Sequence, residues 1–124
     1  MDVTDADHEP SRRVLEELPG ARIVPTLVVT EVAYLLERRH GPEAEMKLLA
    51  ALIAGEFILE HPTQRDLVRM ARLVWQYRDW PLGTVDASVI ATAERLNITT
   101  VATLDRRHFG AVKPRHVDAF ELVP

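Results

Sequence analysis

Apolar residues recur with helical spacing along much of the chain. The clearest example follows Thr63, where the apolar positions fall at i, i+3, i+4, i+7 and i+8 and predict an amphipathic helix. The residues Thr63 to Asp66 match a capping box, in which two side chains bond each other's backbone N–H groups. Three further helices are predicted over about residues 26–39, 42–54 and 85–96.

The start of the chain also carries a helical pattern. Asp7 or Ser11 can cap a short helix whose apolar residues are Val14, Leu15 and Leu18, and Pro19-Gly20 ends it. This segment is therefore expected to add a helix to the domain.

Short apolar segments between the helices indicate strands. They lie at Ile23-Val24 and over about residues 56–60, 99–104 and 120–123. Because strands alternate with helices, the pattern predicts an α/β fold, a parallel sheet with helices on both faces. No internal repeat, low-complexity tract or linker divides the chain, so residues 1–124 are expected to form a single domain.

Composition narrows the classes of function. The chain has no cysteine, which excludes disulfides, thiol catalysis and cysteine-ligated zinc. Its longest apolar runs, such as 48–54, are too short to cross a bilayer, and no secretory signal pattern opens the chain, so a cytoplasmic protein without membrane contact is expected. The formal net charge is −4, so any contact with nucleic acid must come from local basic clusters or bridging metal ions.

Three acidic residues accompany the predicted elements. Glu31 has apolar neighbours one helical turn away, so it either binds a cation or lies at the edge of that stripe and reaches water. Asp86 stands near a helix start, as a ligand or as an N-cap. Asp105 directly follows a predicted strand, either at the edge where open parallel sheets bind ligands or as the first residue of a turn.

Considered together, the three acidic residues point to one site. In a parallel sheet all three can converge on the carboxyl edge, where clustered carboxylates repel unless protons or cations intervene. Oxygen ligands select Mg²⁺ or Mn²⁺ over zinc or copper, and such ions suit phosphodiester cleavage. The pattern therefore predicts a divalent-metal site at Glu31, Asp86 and Asp105.

Three segments resemble those that carry acidic positions in PIN-domain toxins of the VapC type. They are residues 23–36 (IVPTLVVTEVAYLL), 81–88 (PLGTVDAS) and 103–109 (TLDRRHF), and their order and spacing also agree. The resemblance runs from about Asp5 to the C-terminus and is most specific in the last segment. It implies a PIN-like three-layer sandwich and a ribonuclease that depends on Mg²⁺ or Mn²⁺.

The resemblance also implies roles and partners. Glu31, Asp86 and Asp105 match the metal ligands, and Thr103 matches a hydroxyl that supports the site. Arg106 and Arg107 either contact RNA phosphates or are simply solvated. Such toxins are usually dimeric and are neutralised by a VapB-type antitoxin whose C-terminal segment lies over the active site. We expect a homodimer that uses apolar residues from helices within residues 42–80.

The chain departs from this pattern at its beginning. PIN domains open with an apolar strand that ends in an aspartate, whereas Met1 to Thr4 have no strand before them. The first strand and the first acidic ligand are therefore expected to be absent, so the chain from Met1 is expected to be poorly active at best. A start assigned too far downstream is the favoured explanation, and a truncated, inactive relic is the alternative. The alternative function is a catalytically incomplete PIN-like protein that acts as an antitoxin-binding or interaction module.

Overall fold

The computed structural model describes residues 14–17, 21–80, 82–102, 113–117 and 120–123. The strands in this part are β1 (Val14–Glu17), β2 (Ala21–Pro25), β3 (Ile58–Glu60), β4 (Thr100–Ala102) and β5 (Glu121–Val123). The helices are α1 (Thr26–His40), α2 (Pro42–Ile53), α3 (Gln64–Gln76) and α4 (Thr84–Leu96). The α/β fold expected from the pattern is confirmed, and the predicted helices after residue 25 are found within two residues of their expected ends.

The strands form one sheet in the order β3-β2-β1-β4-β5. β2 pairs with β3 in parallel and β4 pairs with β5 in parallel, whereas β1 is antiparallel to both of its neighbours, β2 and β4. Four strands thus point the same way, as expected, and the central strand is the exception.

The prediction of a helix that ends at Pro19-Gly20 is wrong at Val14–Glu17, because this segment is strand β1. Leu15 lies opposite Ile23 of β2 and Val101 of β4, and its side chain is completely buried. Pairing on both sides satisfies the backbone of β1 and places Leu15 in the core. Those tertiary contacts outweigh a local helical pattern that rests on three apolar residues.

Helix α4 is the central helix of the core. Eight consecutive residues of this helix, from Asp86 to Ala93, are buried. The helix packs against α1, α3, β1 and β2. A helix that is buried on every side must be short of large polar groups. Asp86 is therefore an exception in this stretch that calls for a chemical explanation.

Helix α3 begins with the predicted capping box. The Thr63 backbone N–H donates to Asp66 Oδ2 at 3.0 Å, and the Asp66 backbone N–H donates to Thr63 Oγ1 at 3.1 Å. The core face of this helix consists of Asp66, Met70 and Leu73. The position of Asp66 on that face brings a carboxylate toward α4.

Helix α2 contributes no fully buried residue, although it packs along α1. Met46, Leu49 and Ile53 are exposed along one side of it, and Ile53 is 88% exposed. No helix in the described part of the chain is long and apolar enough to span a membrane.

Candidate metal centre

Glu31 is the sixth residue of α1, which starts directly at the carboxyl end of β2. The buried face of α1 consists of Val28, Val32 and Leu36, and Glu31 is half-buried beside it. The first turn is held by Thr26, whose Oγ1 donates to the Glu60 carbonyl oxygen at 3.1 Å and lies 2.7 Å from Nδ1 of His61. The carboxylate is thus carried by a helix whose start is fixed to the end of β3.

Asp86 is the third residue of α4 and is only 7% exposed. Gly83 is the N-cap of this helix, so the interpretation of Asp86 as the cap is wrong. In the first turn, the partial positive charge of the helix N-terminus favours the ionised carboxylate. That interaction offsets part of the free energy that burial of a charge costs.

The two acidic residues lie on helices that pack together, α1 and α4. Asp105, the third predicted ligand, lies outside the described residues, as do Thr103, Arg106 and Arg107. Within the described ranges, no group of three His, Cys, Asp or Glu side chains is arranged to hold a metal ion. The three-carboxylate site therefore stays a prediction.

The chemistry of the available donors suits a hard divalent cation. Glu31 and Asp86 offer carboxylate oxygens, which Mg²⁺ and Mn²⁺ prefer, and the chain has no cysteine to favour a softer metal. Asp86 is buried and Glu31 is partly open to solvent. The residues present fit an oxygen-ligated ion.

A second polar cluster joins α3 to α4, and sequence reasoning missed it. Arg69 Nε and Nη2 donate to Glu94 Oε1 and Oε2 at 2.8 and 2.9 Å. Arg95 Nε donates to Asp66 Oδ2 at 2.9 Å, and its Nη2 lies 2.8 Å from Glu60 Oε2. The partners are 25 and 29 residues apart in the hydrogen-bonded pairs, so no local spacing announces them.

These contacts shift the ionisation of the groups involved. Burial alone would raise the pKa of Glu94, but the hydrogen bonds from Arg69 and from the Arg115 backbone N–H, together with both positive charges, hold it below its ordinary value. Burial would lower the pKa of Arg95, whereas the hydrogen bonds and charges of Glu60 and Asp66 raise it. Both shifts favour the charged forms of Glu94 and Arg95.

An open groove of about 330 Å³ lies over this cluster, between α3, α4 and the 113–117 segment. It is lined by Arg65, Asp66, Arg69, Ala91, Glu94, Arg95, Arg115 and His116. Glu94, at its floor, is eight residues beyond Asp86 on α4, which is about 12 Å along the helix axis. The groove is thus a site separate from the predicted metal centre.

Three comparisons with known proteins agree with this architecture. Residues 3–113 match the family model described as PIN domain. The chain is 32% identical over all of its 124 residues to a protein named Ribonuclease VapC26 from Mycobacterium tuberculosis, 92% of whose length it covers. It also resembles the crystal structure of VapC20 from Mycobacterium tuberculosis, a toxin that cleaves the sarcin-ricin loop.

That structural likeness has a TM-score of 0.73 and covers 94% of this chain and 88% of the other. The two sequences are 22% identical, so this likeness speaks for the fold alone.

Proposed function

Because the chain belongs to the PIN-domain family and is of the VapC type, we propose that it is a metal-dependent endoribonuclease toxin of a type II toxin–antitoxin pair. It hydrolyses RNA phosphodiester bonds. The observation that carries the proposal is Asp86, a carboxylate buried in the first turn of the central helix α4, on a helix packed against the one that carries Glu31. Similarity to a named ribonuclease over the whole chain supports the choice of RNA.

In this proposal Glu31, Asp86 and Asp105 hold Mg²⁺ or Mn²⁺. The bound ion would activate water and stabilise the charge that develops on the phosphate and the leaving oxygen. Asp86 contributes a buried carboxylate in the first turn of α4, where the partial positive charge of the helix N-terminus favours a negative group. Glu31 contributes a carboxylate at the partly open side, Thr103 supports the site, and Arg106 and Arg107 contact RNA phosphates.

The proposed partners follow from the same family. A VapB-type antitoxin binds and neutralises the protein in the cytoplasm, and two copies of the chain form a homodimer. The surface supports protein contacts in the region expected for the dimer, since Met46, Leu49 and Ile53 on α2 and Trp75 on α3 are exposed. Large exposed apolar side chains are typical of interfaces.

The decisive test is RNA cleavage by the wild-type chain beside Asp86→Asn and Asp105→Asn. Each substitution removes one charge and one strong oxygen ligand while keeping the side-chain shape. We expect cleavage, however slow, to require Mg²⁺ or Mn²⁺ and to stop with a chelator. The rate should be lower by about 10²-fold or more in each variant, because water activation and charge stabilisation fail together.

Glu43→Gln is the matched control, since Glu43 is exposed in the first turn of α2, away from α4. It should cleave at the wild-type rate. Equal cleavage by wild type and both aspartate variants, at equal folding, would show that these residues are not the metal ligands. Absence of cleavage by the wild type together with tight antitoxin binding would favour the interaction module instead.

A further inference from the structure

The groove between α3 and α4 has a floor of fixed ion pairs. The Arg69–Glu94 pair is bidentate, and its two side chains are only 12% and 10% exposed. Arg95 is held between Asp66 and Glu60. Each carboxylate in the lining is thus already engaged by a guanidinium group of the floor.

Two guanidinium groups at the rim remain. Within the described part of the chain, the exposed guanidinium group of Arg65 makes no ion pair or hydrogen bond, and that of Arg115 makes no hydrogen bond, although its positive charge helps to lower the pKa of Glu94. Arg115 uses its backbone N–H, which donates to Glu94 Oε2 at 2.8 Å, and this contact fixes the position of its backbone. Arg65 is anchored through the capped first turn of α3. The groove therefore presents two exposed guanidinium groups above a floor whose carboxylates are each paired with an arginine, in a chain whose net charge is −4.

The side chains that line the groove also indicate which class of anion it can bind. Ala91 is the sole apolar residue among the eight that line the groove. Guanidinium groups match phosphate oxygens with paired N–H donors, and a nucleic-acid backbone presents phosphates at regular intervals. A phosphodiester backbone is the ligand that these residues suit.

We infer that this groove is an RNA-backbone site in which Arg65 and Arg115 contact phosphates of a strand that also reaches the predicted metal centre. The inference rests on the proposed ribonuclease function and adds a second contact region to it. The axial distance of about 12 Å from Asp86 to Glu94 is within the reach of a strand only a few nucleotides long. Contacts of this kind position the strand and carry no sequence information.

The test measures binding without cleavage. A fluorescently labelled 20-nucleotide single-stranded RNA of mixed sequence is titrated with the full chain in the presence of a chelator, at several KCl concentrations. Each phosphate contact contributes about 0.7 to the slope of log affinity against log salt for a single strand. We expect that slope to fall by about 0.7 in Arg65→Gln and in Arg115→Gln, and by about 1.4 in the double variant.

Arg72→Gln is the control because Arg72 lies on the same helix, is exposed and does not line the groove. Its slope should equal that of the wild type, and thermal melts should be unchanged in all variants. An equal fall in Arg72→Gln, or no fall in the two groove variants, overturns the inference. Loss of binding to an Asp/Glu decapeptide in those two variants, with RNA binding intact, would assign the groove to an acidic peptide and also overturn it.

Cleavage separates this inference from the proposed function. In the presence of Mg²⁺ or Mn²⁺, the groove variants should raise KM and leave kcat near the wild-type value, since the contacts lie away from the reacting phosphate. Wild-type cleavage with an unchanged KM in both variants would refute RNA binding at the groove and leave the proposed ribonuclease function standing. RNA binding that depends on Arg65 and Arg115, without any cleavage, would refute the proposed ribonuclease function and leave RNA binding at the groove standing.

Discussion

Arg69 on α3 and Glu94 on α4 form a bidentate ion pair, with both N···O distances below 3 Å. The two helices pack closely here, so the pair is largely shielded from solvent. Hydrogen bonds between charged groups with fork-like geometry are stronger than ordinary ones. The contact links the central helix to its neighbour at the end remote from Asp86.

Arg69→Ala should destabilise the protein by about 2 kcal/mol, because Glu94 would keep its charge with only the Arg115 backbone N–H as a donor. Urea unfolding at neutral pH measures the change. Arg72→Ala is the control on the same helix, where the side chain is exposed, and it should change the free energy of unfolding by less than about 0.5 kcal/mol. Equal effects of the two substitutions would contradict a stabilising role for the pair.

The same pair predicts a pH dependence. The pKa of Glu94 is lower in the folded state than its ordinary value of 4.5, so the unfolded state binds the proton more readily at acid pH. The stabilisation is complete above pH 4.5 and is lost as the pH falls through the lowered folded-state pKa. Thermal melts from pH 7 down to pH 3 should show a smaller acid-induced decrease in Tm for Glu94→Gln than for the wild type. A parallel decrease in the two proteins would refute this assignment.

Asp66 combines two roles that separate substitutions can resolve. Its carboxylate completes the α3 capping box and accepts from Arg95, and its side chain is nearly buried. Thr63→Ala removes the other half of the box alone and should cost about 1 kcal/mol. Asp66→Ala should cost more, about 3 kcal/mol, because Arg95 also loses a partner. Chemical denaturation measures the free energy of unfolding of the two variants. A larger loss in Thr63→Ala than in Asp66→Ala would contradict the second role of Asp66.

These features show what the sequence could and could not reveal. The capping box was predictable because Thr63 and Asp66 are three residues apart and act on each other's backbone. Segment Val14–Glu17 was not, since its conformation depends on pairing with β2 and β4, and the latter strand begins 83 residues after β1 ends. The environment of Asp86 could be predicted only in part. Its apolar neighbours indicated a buried helix, but they did not show that Gly83 is the N-cap and that Asp86 lies inside the first turn.

The charged groove was invisible for a related reason. Arg69, Glu94 and Arg115 look like ordinary surface charges in their own segments, and only the packing of α3 on α4 brings them together. Thr103, Asp105, Arg106 and Arg107 remain predictions, because they lie outside the described residues.

The exposed apolar side chains lead to a prediction about assembly. Trp75 is 68% exposed and Ile53 is 88% exposed, and both lie within the region expected to form the dimer. Sedimentation at micromolar concentration should show a dimer without antitoxin. Trp75→Glu or Ile53→Glu should shift it toward monomer with little change in monomer stability, since neither side chain is buried within the chain. Val89→Glu, which introduces a charge into the core, is a contrasting control that should unfold the protein. A monomeric wild type would contradict the dimer.

Carboxylates that share one site determine the sign of the stability change when one of them is replaced. If Glu31, Asp86 and Asp105 share one site, their charges repel one another when no cation is bound. Asp86→Asn should then leave Tm unchanged or raise it in the presence of a chelator, although it removes a group in the first turn of α4 where a negative charge is otherwise favourable.

Adding Mn²⁺ should raise the Tm of the wild type, because a ligand that binds only the folded state stabilises it, and should have a much smaller effect on the Asp86→Asn variant. Glu31→Gln should behave in the same way, whereas Glu43→Gln on the exposed first turn of α2 should respond to Mn²⁺ like the wild type. If Asp86→Asn instead lowers Tm in chelator and Mn²⁺ raises Tm equally in all four proteins, the buried carboxylate serves the fold and the metal site lies elsewhere.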